Sequence, residues 1–446
     1  MEIIILASLA LIGGTFFLVD ALTDDDDDNP PEENPDMELP GMAGDDFTGD
    51  DEDVVHGTQG DDTLTGSGNA TMLGRDGNDT ITLTDSATGF GGDGDDTIHA
   101  ANTAQASGHL GNDTLFSTHQ ATIAGGEGND TLTATDNSLA QGGTGDDLLT
   151  LDDNARGDGG VGNDTLNATE NARASGGSGH DTLTGDGTTR LAGENGNDTL
   201  TLSGEATGFG GEGNDTLNIS GEAHGHGGAG DDLLTVSEAA LGNGGAGDDT
   251  LTAAEDSTAT LRGGSGDDSL SAYAGATLDG GAGDDLLSIT TPSEADGTET
   301  SSLTGGEGAD TFNITHEAEG ATPEELAAIV ISDFDPEEDM LQITSEEPSS
   351  VDITPGTDES PTELRLSYEN RPDLLIQLTN GATISQSDIS FVAPAADTSP
   401  ETTPDASPET TPAASPESTP AAAPASTPEA TPAADEAADE APTATV

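Results

Sequence analysis

The sequence predicts an all-β chain: a parallel β-roll, or solenoid, of about 17-residue coils, with a C-terminal β-rich cap and a disordered tail. Two observations carry that prediction. A Gly-rich hexapeptide ending in aspartate occurs fifteen times, and its first twelve copies keep an interval of 17 residues. Between successive aspartates, apolar residues alternate with polar ones at the period of a strand. An interval held over so many copies puts each copy at the same point on successive turns of a solenoid.

The terminal aspartates are Asp62, Asp79, Asp96, Asp113, Asp130, Asp147, Asp164, Asp181, Asp198, Asp215, Asp232 and Asp249. Asp268, Asp285 and Asp310 follow at intervals of 19, 17 and 25. Two residues after each of the first twelve stands Leu or Ile, from Leu64 and Ile81 to Leu251, and four residues after it a second small or apolar residue such as Leu83, Ala134 or Ile219. That is one short strand with a single inward face. Eight residues on, nine of these twelve coils carry Ala, and ten residues on come Met72, Ala106, Ile123, Ala140 and Leu191. This is a second strand, with smaller residues inward. A Gly-x-Gly-x-Asp turn joins the strands on one side, and a polar turn such as Thr84-Asp85-Ser86 or Asp152-Asp153-Asn154 on the other. The interval of 25 predicts a bulged loop over Thr291 to Ser301.

Composition limits what such a fold can rest on. Seven basic residues face 89 acidic ones, for a net charge of -82. That field repels nucleic acid and anionic lipid, and makes cations the natural partners. Aromatic residues make up 2% of the chain and Trp is absent, so the core is thin. Without Cys, no disulfide reinforces it. At about 25 cal/mol per Å² of apolar burial, a Leu and a few small residues per coil barely offset about 1–2 kcal/mol of backbone entropy per residue. Stacked carboxylates worsen the balance. Calcium answers both problems: it takes about six to eight hard oxygen ligands, which carboxylates and the carbonyls of a Gly-rich turn supply.

The motifs Gly91-Gly92-Asp93-Gly94-Asp95-Asp96-Thr97-Ile98, Gly210-Gly211-Glu212-Gly213-Asn214-Asp215-Thr216-Leu217 and Gly280-Gly281-Ala282-Gly283-Asp284-Asp285-Leu286-Leu287 resemble the RTX, or haemolysin-type, calcium-binding repeat. The resemblance implies multiple Ca²⁺ ions between the turns of neighbouring coils. It also implies that the fifteen terminal aspartates and the Gly-rich-turn carbonyls are their ligands. The chain departs from the family pattern by carrying the motif on one edge of a coil shorter by one residue. One file of ions is therefore expected, with at most one in each of fourteen gaps, which would change the charge from -82 to -54. The second Gly is replaced at Thr58, Arg75, His109 and Glu194, and His180 stands where Asn or Asp usually precedes the terminal Asp. Weaker or empty sites are expected there.

The remaining chain divides by composition. Residues 1–21 contain the apolar run Ile3 to Val19, which reads as a signal or membrane anchor without a positive leading region. Residues 22–53 read as an acidic linker, 54–310 as the β-roll, and 311–392 as the β-rich cap. Residues 393–446 are a Pro-, Ala-, Thr-, Ser- and Glu-rich tail. Ile331-Ser332-Asp333-Phe334-Asp335-Pro336, with Asp339-Met340-Leu341 after it, resembles the segment that closes haemolysin-type arrays. A solenoid end needs such a cover for its open strand edges and core.

Catalytic motifs are missing from the sequence. His316-Glu317 lacks the second His of a zinc protease, no Gly-x-Ser-x-Gly occurs, and His224 and His226 decorate one coil. The expectation is a non-enzymatic Ca²⁺-binding module, secreted or anchored at the cell surface, that folds when it binds Ca²⁺. An adhesin or matrix component with a cell-surface partner is the alternative. Outward threonine pairs such as Thr63/Thr65 and Thr199/Thr201 raise ice binding as a lesser one, against which Phe116, Leu148, Leu233 and Leu286 interrupt the files. A non-catalytic part of a secreted hydrolase system is another.

Overall fold

The computed structural model describes residues 46–255, 257–291, 300–317, 328–357, 360–369 and 372–394. The apolar Ile3 to Val19 run, most of the acidic linker, the core of the bulged loop and the tail from 395 lie outside the described residues.

Each coil has two strands, as in Thr199–Leu202 and Thr207–Glu212. The first strands of successive coils pair in parallel, with Leu200 between Leu183 and Leu217. The second strands pair in the same way, with Gly208 between Leu191 and Gly225. Two parallel sheets thus face each other across a core one or two side chains thick. The Leu and Ile residues two positions after each aspartate are fully buried, as are the alanines at eight. The expected all-β, parallel architecture is the observed one.

In seven coils the core is filled by compensation between the two strands. Among the first twelve aspartates, where the fourth residue on is large the tenth is glycine: Leu83 faces Gly89, Leu151 faces Gly157, Leu202 faces Gly208 and Ile219 faces Gly225. Where the fourth is glycine, the tenth is large, as in Gly66 with Met72 and Gly185 with Leu191. A Cβ placed on Gly208 would lie 2.7 Å from Leu202 Cδ1, so the leucine occupies the volume that the glycine vacates. In these coils a large residue on one strand fills the space left by glycine on the other, which keeps the interior close-packed.

Both irregular intervals fall on the polar-turn side. Six residues instead of four separate Thr250–Ala253 from Thr260–Ser265, yet both strands keep register with their neighbours. The longer insertion separates Leu286–Thr291 from Ser301–Glu307, which also stay in register.

The ends differ from expectation. Asp46–Gly49 pairs with Thr63–Gly66, and Val54–His56 with Thr71–Leu73, so residues 46–53 belong to a first coil and not to the acidic linker. Composition hid this coil; Phe47 stands 17 residues before Leu64 and packs against the core. At the other end no break occurs at residue 311. Thr311–His316, Met340–Thr344 and Ile389–Val392 extend the first sheet. The second sheet ends in an antiparallel set, Ser350–Thr354, Thr362–Ser367 and Leu374–Leu378, whose last strand also pairs with Ile329–Ile331. Phe312 and Phe334 meet edge to face at 5.9 Å beneath this set. His316 is buried between Thr291 Oγ1 at 2.8 Å and the Pro372 carbonyl at 3.1 Å, which makes it part of the cap's packing.

Candidate metal centre

The Gly-rich turn is shaped by how closely one coil lies on the next. At Gly210 an added Cβ would collide with Asp215 Oδ2 and with the Gly227 carbonyl of the following coil. Gly211 and Gly213 adopt φ of +132° and +123°, and a Cβ on either would strike the backbone of the preceding coil. Only glycine satisfies both demands without strain. Arg75, His109 and Glu194 nonetheless occupy the second-glycine position at φ of 91°, 84° and 81°, at a cost of about 1–3 kcal/mol each. Thr58 is handled differently: its N–H and Oγ1–H donate to Asp62 Oδ2 at 2.5 and 2.9 Å.

All fifteen aspartates are buried, each at most 3% exposed, and stand in one file along this edge. Their two carboxylate oxygens have different fates. Oδ1 accepts the backbone N–H of the aspartate one coil earlier: Asp198 N–H donates to Asp215 Oδ1 at 2.7 Å, and Asp215 N–H to Asp232 Oδ1 at 2.7 Å. The ladder runs unbroken from Asp62 to Asp310 at 2.7–3.0 Å. Oδ2 of the thirteen aspartates from Asp79 to Asp285 is buried with no hydrogen-bond partner among the described residues. A buried, unpartnered carboxylate oxygen is costly, and here it is repeated in thirteen successive coils.

The electrostatics follow from that burial. Desolvation pushes the carboxyls of Asp79, Asp113, Asp130, Asp164, Asp215, Asp249 and Asp268 up to about 6. Those of Asp96, Asp147, Asp181, Asp232 and Asp285 rise to about 7. Burial raises Asp198 and Asp310 as well. The donated N–H opposes the shift in each case, and for most of them neighbouring carboxylates reinforce it.

A second ladder runs outside the first in the opposite sense. From Asp61 to Asp284, the residue before each aspartate accepts the N–H of its counterpart one coil later, as when Asp95 N–H donates to Asn78 Oδ1 at 3.0 Å. His180 keeps this ladder intact, because Asn197 N–H donates to His180 Nδ1 at 2.8 Å. The imidazole there serves as an acceptor in place of a side-chain oxygen.

Sequence reasoning missed the end of the file. Asp339 Oδ1 accepts the N–H of Asp310 at 3.0 Å and so takes the place of the next coil's aspartate. Asp333 accepts the N–H groups of Gly305 and Gly306 at 3.0 and 2.9 Å. The signal for Asp339 was Leu341 two residues later, which pairs with Phe312. The interval of 29 residues from Asp310 concealed it.

Among the described residues no three His, Asp or Glu side chains converge on one point. His224 and His226 accordingly have no third partner of zinc-binding type there. What each turn from Asp79 to Asp285 offers is one free carboxylate oxygen, with backbone carbonyls of adjacent Gly-rich turns beside it. This donor set is all hard oxygen and fits Ca²⁺, not a soft metal. The free Oδ2, the cradle that a Cβ would fill and the absence of nitrogen or sulfur donors all agree with that ion.

Residues 47–81, 88–102, 122–138, 169–200, 243–257 and 256–287 match the family described as the RTX calcium-binding nonapeptide repeat. No curated protein matches the chain. The matched stretches fall within the coils described above, from the first strand of the solenoid onward. The matched coils are RTX calcium-binding nonapeptide repeats, a kind of repeat that binds Ca²⁺ at multiple sites.

Proposed function

We propose that this protein is a non-enzymatic structural module, secreted or held at the cell surface, whose coils stack when Ca²⁺ binds. The file of buried, unpartnered Asp Oδ2 atoms carries this reading. The ligands in it are the carboxylates from Asp62 to Asp310 and the carbonyls of the Gly-rich turns, such as that of Gly227 beside Asp215. Bound Ca²⁺ supplies the positive charge and the oxygen coordination that this file lacks.

The chain's own groups account for the coupling. Without a cation, stacking buries a row of carboxylates against their own repulsion and leaves one oxygen of each from Asp79 to Asp285 unsatisfied. The thin core cannot offset that cost, so the acidic chain is expanded. An ion that binds only the stacked form stabilises it by mass action. Export places the protein where free Ca²⁺ is plentiful, and the apolar Ile3 to Val19 run is its address.

The test is far-UV circular dichroism of the full chain, titrated with Ca²⁺ from chelator, with Mg²⁺ as control. A cooperative coil-to-β transition specific to Ca²⁺ is expected, since Mg²⁺ demands a smaller octahedral shell and retains its waters. Full β-structure in chelator would refute coupled folding. Release of the protein from intact cells by protease would support surface anchoring.

A further inference from the structure

The outer faces of the two sheets differ in a way that the repeat does not require. On the first sheet, sixteen strands from Thr63–Gly66 to Met340–Thr344 each present two outward residues, the first and third after the aspartate. None of these thirty-two positions is Asp, Glu, Lys or Arg, and nineteen are Thr. In a chain that is 22% charged, about seven charges would be expected there. The second sheet is equally parallel and in register, yet its outward positions include Arg156, Asp158, Arg173, Arg190, Arg262 and Asp279. Parallel stacking therefore tolerates charge on an outer face; on the first sheet Asp46 is a charge in register with these positions, and the sixteen strands after it have none.

The same face gathers apolar side chains. Phe116, Leu148, Leu233, Leu286 and Met340 are 36–50% exposed. They are half of the ten large hydrophobic residues exposed among the described residues. Charge depletion with scattered aromatic, Met and aliphatic anchors is the composition of a protein interface centre.

We propose that this face docks a second copy of the chain, sheet against sheet, once the coils are stacked. The occupant follows from charge and size. The acidic turn edges of two such molecules repel each other, and this face is where they approach without opposing carboxylates. With coils about 4.8 Å apart, sixteen strands make a strip about 70 Å long and about 10 Å wide. Its area is close to the roughly 800 Å² per partner that a stable interface buries. The acidic edges on either side set the conditions. Association strengthens with added salt, which screens them, and with Ca²⁺, which neutralises one of them.

The experiment is sedimentation velocity of the full chain in saturating Ca²⁺, with mild non-ionic detergent to mask the apolar Ile3 to Val19 run. The wild-type chain is compared with a Thr184→Asp/Thr235→Asp variant and with a Thr277→Asp control on the second sheet. A dimer that the control retains and the double variant loses by at least tenfold in affinity is expected. Circular dichroism and the Ca²⁺ midpoint of the double variant should stay at wild-type values, which separates lost docking from lost folding. Because the chain has no Cys, a nitroxide on Thr184→Cys gives a second reading. Dipolar coupling between subunits is expected from that site and not from Thr277→Cys. A monomer at every concentration and salt overturns the proposal, as does a dimer that the double variant leaves intact. A monomer that shows thermal hysteresis overturns it too, and assigns the threonine face to ice.

Discussion

The two edges of each coil solve the same geometric problem, reversing the chain between strands, under opposite constraints. On the aspartate edge, successive turns lie so close that a Cβ on Gly211 or Gly213 would enter the preceding backbone. A buried carboxylate must also hand one oxygen to the neighbouring coil. On the polar edge the turn needs only a residue that tolerates positive φ. Asp85, Asn102, His119, Asp136 and Glu170 serve there as well as Gly204 and Gly221. Both insertions in the solenoid fall on that edge. Repetition in this chain is thus strict where backbones touch and charge is buried, and loose where water satisfies the turn.

Moving an insertion from one edge to the other gives the largest contrast. Two residues added after Ala239 should leave the Ca²⁺-loaded β signal and melting temperature nearly unchanged, as the natural insertion before Thr260–Ser265 does. The same two residues after Gly230 should break both ladders and split the solenoid, read as loss of cooperativity in the thermal melt.

Replacing one carboxylate is the next test. Asp215→Asn keeps an oxygen for the Asp198 N–H but removes the charge beside the Gly227 carbonyl. It should raise the Ca²⁺ midpoint several-fold, with the β signal at saturation preserved. An unchanged titration would remove Asp215 from the ligand set.

Acidity separates the edges without mutation. Carboxyls such as Asp215 and Asp232 sit at about 6 and about 7 in the folded coil, against an ordinary 3.8, because they are desolvated. Folded coils therefore bind these protons more tightly than the unfolded chain does. In chelator, the stability contributed by protonation is fully present below about pH 4 and is lost as pH rises through about 6–7. β-structure should accordingly grow in chelator as pH falls from about 8 to about 5. In Ca²⁺ the order reverses, with the midpoint rising as protons compete for the same oxygens. A pH titration followed by circular dichroism, with and without Ca²⁺, checks both signs.

The smallest effect belongs to the polar edge. Gly187→Asn, at φ of +77° and with its nearest neighbour 3.4 Å from an added Cβ, should change stability by less than about 0.5 kcal/mol in a thermal melt, since Asn tolerates that region. A larger loss would mean that the polar edge is more constrained than its variety suggests.

Much of this architecture could be read along the chain. Leu200 and Leu217 had to be inward, because a period of two fixes the face of a strand and a period of 17 stacks each on its neighbour. Asp198 and Asp215 had to share an edge for the same reason. Local spacing of this kind survives without knowledge of the fold, since it is written in consecutive residues.

Other features existed only once the coils were closed and stacked. That Leu202 faces Gly208, and Gly185 faces Leu191, depends on two strands meeting across the core. Each position obeys the sum of two volumes, so neither looks constrained alone. That Oδ1 of Asp215 is tied while Oδ2 is left free depends on where the preceding coil's N–H lies. Asp339 completes the file only because the cap folds back beneath Asp310. Periodicity determined which residues line up. Contact across the core and between coils decided which atoms are satisfied, because hydrogen bonding and packing are properties of pairs that the linear order keeps apart.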